Sequence, residues 1–283
     1  MNRKVYFLVF IAIAIMAGSS CTRVIHESDL LQPWRFPTLS DQLQREDVRI
    51  TVDDSVILRG WLVKPPDAKG TIIYFNGLGD VVLWPTLRYN MFATDLKLNV
   101  LALDYRGYGF SDGKPTFEAV LNDALAIYDY LASRPDLASK PIFLYGYSLG
   151  TAVSIHTAAH RKISGVILEG SLTSAEETVP YQRIYISWPM RWFVRLKADK
   201  ALRDRHPQPI EVIRDLAVPV LFIHGTKDKE TPISMGRRMY EAAGSDQKHW
   251  CEVPGADHID LKITEGLALD SLRTFIQKYI SQE

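Results

Sequence analysis

Residues Ile142-Phe143-Leu144-Tyr145-Gly146-Tyr147-Ser148-Leu149-Gly150 decide the fold. Four apolar or aromatic residues run into Gly-x-Ser-x-Gly, and an amphipathic segment at 151–160 follows at once. The pattern predicts a strand, a sharp turn and a helix, with Ser148 at the apex of the turn. The glycines let strand and helix approach closely, so that the Ser148 hydroxyl projects from the end of a sheet. The helix behind it aims backbone N–H groups at the place where an oxyanion would form. The five-residue motif alone arises by chance in roughly one chain of this length in ten, so its context carries the reading.

That context repeats in both directions. Residues 48–52 and 57–63 are alternating or apolar runs separated by Asp53-Asp54-Ser55, a hairpin signature. Residues 71–75 and 100–103 are short continuous apolar runs, the kind buried on both faces of a parallel sheet. The first leads into a glycine-rich loop, Asn76-Gly77-Leu78-Gly79-Asp80, with a helix expected over 85–95. The second leads into Asp104-Tyr105-Arg106-Gly107-Tyr108-Gly109. Phe117, Val120, Leu121, Ala124, Leu125, Tyr128 and Leu131 then share one helical face, with Thr116 as N-cap. Further strands are expected at 166–168, 220–223 and 250–253, with helices over 233–243 and at the C-terminus. Alternating strands and helices imply an α/β domain with a mostly parallel central sheet and helices on both faces. Its active site belongs at the carboxyl ends of the strands. Asn76, Asp104, Ser148, Asp228 and His258 each follow a predicted strand.

The chain has 283 residues, 47% of them hydrophobic, enough for one large packed domain. Lysine plus arginine equals aspartate plus glutamate at 33 each, so no basic excess is available to track nucleic acid. Residues 1–20 have signal-peptide anatomy: Arg3 and Lys4, an uncharged apolar run at 5–17, then Gly18-Ser19-Ser20. Ala17-Gly18-Ser19-Ser20-Cys21 resembles a bacterial lipobox, although Gly18 stands where such motifs usually carry leucine. The resemblance implies diacylation of Cys21, and Thr22 at the next position implies the outer membrane of a Gram-negative envelope, facing the periplasm. An ordinary cleaved signal or an uncleaved anchor are the alternatives. Residues 21–47, polar and containing Pro33 and Pro37, are expected to tether the lipid to a domain at 48–283. With Cys21 acylated, Cys251 has no disulfide partner and reads as a small buried hydrophobe.

Gly146-Tyr147-Ser148-Leu149-Gly150 resembles the nucleophile elbow of the α/β-hydrolase superfamily, whose triad order is Ser, acid, His. Asp104-Tyr105-Arg106-Gly107-Tyr108-Gly109-Phe110-Ser111-Asp112-Gly113 resembles the matching segment of its BEM46-like branch, which includes animal ABHD-type proteins. The resemblance implies Ser148 as nucleophile, His258 in Gly255-Ala256-Asp257-His258 as base, and Asp228 in His224-Gly225-Thr226-Lys227-Asp228 as the acid, with Glu230 and Asp257 as the outside alternatives. It implies an oxyanion hole from the backbone N–H of Leu149 and that of Leu78, although Asn76-Gly77 stands where many members read His-Gly. Asp104 and Arg106 are expected to hold loop structure, and His224 to shape its turn. His156 and His160 are spaced as a metal pair but lack a third ligand.

The β/α rhythm breaks at 171–217, where Tyr181, Tyr185, Trp188, Trp192 and Phe193 alternate with basic residues. Such an insert is expected to cap an acyl pocket. Its aromatics suit packing on the core, contact with substrate, or contact with an anionic membrane surface. The expected activity is serine hydrolysis of a carboxylic ester or thioester by a monomer without cofactor or metal. The alternatives are a serine peptidase of the same fold and a non-catalytic hydrolase-fold binding module.

Overall fold

The continuous apolar runs become the strands of one sheet. The computed structural model describes residues 21–32, 45–53, 55–83, 85–205 and 207–280. In chain order its elements are β1 (Cys21–Ile25), α1 (Glu27–Leu30), β2 (Arg45–Val52), β3 (Val56–Val63), β4 (Gly70–Phe75) and α2 (Thr86–Asn90). There follow β5 (Leu98–Leu103), α3 (Phe117–Ser133), β6 (Ile142–Tyr147), α4 (Leu149–His160) and β7 (Gly165–Glu169). The insert holds α5 (Ala175–Thr178), α6 (Trp188–Arg191), β8 (Val194–Ala198), α7 (Lys200–Arg203) and α8 (Pro209–Val212). The chain closes with β9 (Val220–Gly225), α9 (Ile233–Ala242), β10 (Lys248–Val253) and α10 (Gly266–Tyr279).

Eight strands form the main sheet in the order β10-β9-β7-β6-β4-β5-β3-β2. The β2–β3 hairpin is antiparallel, and β3 joins β5 antiparallel. Every pairing from β5 across to β10 is parallel. The central strands β4, β5, β7 and β9 are buried at every position, as their unbroken apolar runs require. Each fully buried Leu, Ile or Phe there contributes about 1.5–3 kcal/mol. The helix expected over 85–95 begins as α2 and loosens into a π-helical turn over Met91–Asp95.

The tether expected over 21–47 differs at its start. β1 pairs in parallel with β8 as a separate two-stranded sheet, from Cys21 opposite Val194 to Ile25 opposite Ala198. The apolar side chains in an otherwise polar segment explain it. Ile25 is buried in a cluster with Val179, Leu196, Ala198 and Leu202, and Leu31 reaches the main core. The segment is pinned by the Asp199 N–H donating to the Ile25 carbonyl at 2.9 Å and by His26 Nδ1 2.7 Å from Asp199. Residues 21–31 are thus part of the cap. The signal-type segment 1–20 and residues 33–44 lie outside the described residues.

The turn between β6 and α4 is held by close backbone approach. A methyl group on Gly150 would lie 2.1 Å from the Phe75 carbonyl oxygen, and one on Gly146 would lie 2.2 Å from that of Gly150. No side-chain rotation relieves either contact. Gly79, by contrast, has φ of 81° but open space around its missing Cβ. Gly150→Ala is therefore expected to cost about 3 kcal/mol or more as α4 is forced off β4, and Gly79→Ala only about 1–2 kcal/mol. Urea denaturation of the two variants checks the ranking.

Candidate active site

Ser148 is the one residue between β6 and α4, and its backbone sits at φ 52°, ψ −115°. Its N–H donates to the Glu169 carbonyl at 2.9 Å, and its own carbonyl accepts from the Thr151 N–H at 2.9 Å and the Thr151 hydroxyl at 2.6 Å. These bonds and the glycine contacts fix a conformation that L-residues rarely adopt. Leu149 is the first residue of α4, so its N–H has no acceptor within the helix. Leu78 lies in the loop after β4 and lines the same cavity as Ser148 and Leu149.

The loops after β9 and β10 carry Asp228 and His258 to this point. His258 Nε2 is 3.0 Å from Ser148 Oγ, and His258 Nδ1 is 2.7 Å from Asp228 Oδ2. The structure therefore brings Ser148, His258 and Asp228 into one hydrogen-bonded line, although 110 residues separate the serine from the histidine. Asp228 and His258 are both buried. Burial alone would raise the Asp228 pKa, but the bond and charge of His258 and the Thr231 N–H hold it below the ordinary value. Burial works against the His258 imidazolium as well. The hydrogen bond and charge of Asp228, aided by Glu230 and Glu169, outweigh it and raise the pKa above 6.5.

Several further groups surround this line. Thr231 donates its N–H to Asp228 Oδ1 at 2.8 Å, and its hydroxyl lies 3.0 Å from Asp228 Oδ2 and 3.2 Å from His258 Nδ1. Glu230 Oε2 is 3.8 Å from His258 Nε2. The Tyr147 hydroxyl donates to the His258 carbonyl at 3.1 Å. Beneath the elbow, the fully buried Glu169 is clamped by Arg88, one of whose bonds spans 2.9 Å, and accepts from the Tyr145 hydroxyl. The Arg88 guanidinium also stands 5.0 Å from the Tyr147 ring centroid. This ion pair ties the helix after the Leu78 loop to the strand that accepts the Ser148 N–H. Asp80, in the same loop, has its pKa raised by burial.

The remaining candidates have structural places. Asp104 accepts from the Val82 and Phe110 N–H groups at 2.8 and 3.0 Å, and burial pushes its pKa up to about 6. Arg106 pairs with Asp123 and Asp53. His224 Nε2 is 2.6 Å from the Thr231 carbonyl oxygen. Asn76 is buried, and its side-chain amide has no partner among the described residues. His156 and His160 stack with ring centroids 4.4 Å apart, and burial pushes the His156 pKa down to about 4. No group of three metal-ligating side chains occurs among the described residues. Cys251 is buried and its thiol pKa is raised by that burial. Cys21 stands at the first position of β1, remote in sequence from these groups.

Ser148 and His258 open on a cavity of about 870 Å³ between sheet and cap. Its walls include Val120, Leu149 and Val153 from the core and Ile25, Val179 and Leu196 from the cap. The volume falls in the upper range for small-molecule sites.

A family model described as serine aminopeptidase, S33 matches residues 66–211, just over half of the chain. The α/β hydrolase domain-containing protein WAV2 of Arabidopsis thaliana is 29% identical over 255 residues, covering 84% of this chain and 80% of that protein. Protein bem46 of Schizosaccharomyces pombe is 26% identical over 259 residues, covering 85% and 83%. Among solved structures, the Pyrococcus furiosus esterase Pf2001 superposes with a TM-score of 0.71 at 20% identity, covering 88% of this chain and 99% of that one. At that identity the likeness speaks to fold alone.

The hydrogen-bonded line makes a prediction about titration. NMR observation of the His258 imidazole should give a midpoint above 6.5 in the folded chain, assigned with His258→Gln. In Asp228→Asn burial is left unopposed by that carboxylate, and the midpoint should fall by one unit or more, on the order of the shift a neighbouring carboxylate exerts. A midpoint indifferent to Asp228→Asn would show that the pair is not coupled in solution.

Proposed function

From the premise that this chain belongs to the α/β-hydrolase family, and is a hydrolase, we propose that it cleaves carboxylic esters or thioesters through an acyl-Ser148 intermediate. The observation that carries this reading is the Ser148–His258–Asp228 line opening on a large cavity with apolar walls.

A serine hydroxyl is a weak nucleophile and needs a base. His258 Nε2 takes the Ser148 proton as Oγ attacks the acyl carbon. The imidazolium keeps its Nδ1 proton bonded to Asp228, which fixes the tautomer and stabilises the charge. The carbonyl oxygen becomes an oxyanion facing the N–H groups of Leu149 and Leu78. Collapse breaks the bond to the leaving oxygen or sulfur, which receives the proton from His258. Water then repeats the sequence on the acyl-enzyme and regenerates Ser148. No cofactor enters these steps.

In this reading Cys21 carries a diacylglycerol group after removal of residues 1–20, and the enzyme faces the periplasm from the outer membrane of a Gram-negative cell as a monomer. The segment anatomy of 1–21 supports it. Peptide hydrolysis is the second reading, favoured by the description of the matching family model. A cavity with mainly apolar walls suits an acyl chain better than a peptide backbone, whose amides would need partners there.

Fluorophosphonate labelling of the full chain, with p-nitrophenyl esters of graded acyl length and peptide anilides run in parallel, tests the proposal. Labelling is expected in the wild type and absent in Ser148→Ala, with ester turnover reduced by roughly 10³-fold or more. The ester rates should exceed the anilide rates and peak at a medium or long acyl chain. A folded wild type that neither labels nor turns over would defeat the enzymatic reading in favour of a binding module. The pH profile offers a separate check. The base must be neutral, so kcat/KM should fall as pH drops through the raised His258 pKa, and in Asp228→Asn that limb should move to lower pH.

A further inference from the structure

The cap presents apolar side chains that stand exposed among the described residues. Trp192 is 77% exposed, Trp188 71%, Tyr185 65% and Met190 51%, all within a short span around α6. Tyr181 is exposed on the turn before them, and Val24 on β1 beside them. Isolated exposed hydrophobics are ordinary, but this many in twelve consecutive residues (181–192), two of them tryptophans, mark an interaction surface. Arg183, Arg195 and Lys197 are exposed among these residues, and no carboxylate among the described residues pairs with any of the three. Tyr185 is shared between this face and the wall of the cavity, where Leu78 and Ile259 are also exposed.

The chain's own path identifies the occupant. Cys21 is in register with Val194, so the two Cα positions are about one strand spacing, ~5 Å, apart. Trp192 is two residues before Val194. The uncharged apolar run at 5–17 ends four residues before Cys21. In the membrane-anchored reading of residues 1–21, with Cys21 lipidated or the apolar run retained, the bilayer begins within a few residues of the exposed tryptophans. β1 allows little slack, because its pairing with β8 and the contacts to Asp199 fix Cys21 to the cap. Trp and Tyr favour the headgroup level of a membrane, and unpaired Arg and Lys favour an anionic surface.

We propose that the outer face of the cap, formed by Tyr181, Tyr185, Trp188, Met190 and Trp192 with Arg183, Arg195 and Lys197, is a bilayer-docking surface. It holds the mouth of the cavity against the lipid headgroups. The inference rests on the membrane-anchored reading of residues 1–21 but not on the hydrolase reading, since a binding module with this cap would dock in the same way.

The test uses the full chain reconstituted in phosphatidylcholine–phosphatidylglycerol vesicles doped with brominated lipid. Bromine quenches tryptophan only at close range, so the wild type should lose fluorescence, and Trp188→Phe/Trp192→Phe should reduce the quenched amplitude at least twofold. Labelling by fluorophosphonate, or thermal melting if no labelling occurs, verifies that the variant is folded, since neither tryptophan lines the cavity. Equal quenching in wild type and variant, or none in either, would overturn the proposal. A cap that serves a protein partner away from the lipid would give the second result.

Discussion

One backbone conformation constrains the rest of the site: Ser148 at φ 52°, ψ −115°. A non-glycine residue in such a region costs on the order of 1–3 kcal/mol and persists only where its surroundings over-determine it. Here they do. The Ser148 N–H is bound by β7, its carbonyl by Thr151, and the strands and helix around it approach at distances that exclude any side chain at 146 and 150. The return on that cost is position. The hydroxyl is lifted from the sheet toward His258, and the start of α4 lies directly beneath it.

The parallel sheet converts this local device into a site. Strands β4, β5, β6, β7, β9 and β10 run in one direction, so the loops after β4, β6, β7, β9 and β10 gather at one edge. Four of these loops carry the candidate site residues: Leu78 after β4, Ser148 after β6, Asp228 after β9 and His258 after β10. The loop after β7 brings Gly170, whose carbonyl accepts from Thr231 at 3.1 Å and so props the acid–histidine pair from below. The Arg88–Glu169 pair, buried where an unpaired charge would be expensive, links the helix after the Leu78 loop to the strand that holds the Ser148 N–H.

What was legible in the sequence was what short-range chemistry writes there. The elbow is five consecutive residues, and Asp228 and His258 each follow a strand in a turn containing Gly and Asp, so the three residues that the structure lines up could be picked out as candidates without coordinates. The sheet was legible for the same reason, since buried parallel strands are unbroken apolar runs. Arg88 and Glu169 were not, because 81 residues separate them and neither sits in a recognisable motif. Thr231 was hidden in the turn beside Asp228, where a hydroxyl aimed at an imidazole looks like any turn residue. In the sequence β1 has the look of a tether because Val24 and Ile25 are too few to mark a strand, and its partner Val194–Ala198 lies across most of the chain. Pairing at that distance is decided by tertiary packing, which propensity does not record.

The misread strand changes what the cap is. Ile25 and Leu30 line the cavity beside Leu196 and Val179, so the residues next to Cys21 are wall as well as connection. Glu27 accepts the N–H of Phe117 at the start of α3 and stands 3.8 Å from Arg205, which joins the N-terminal segment to both the main domain and the cap. Displacing that segment would remove the β8 pairing and one side of the cavity together. A flexible tether would let the domain swing free of whatever holds residue 21. A strand built into the cavity wall instead fixes the orientation of the cavity relative to that point, so position and pocket shape are set by the same few residues.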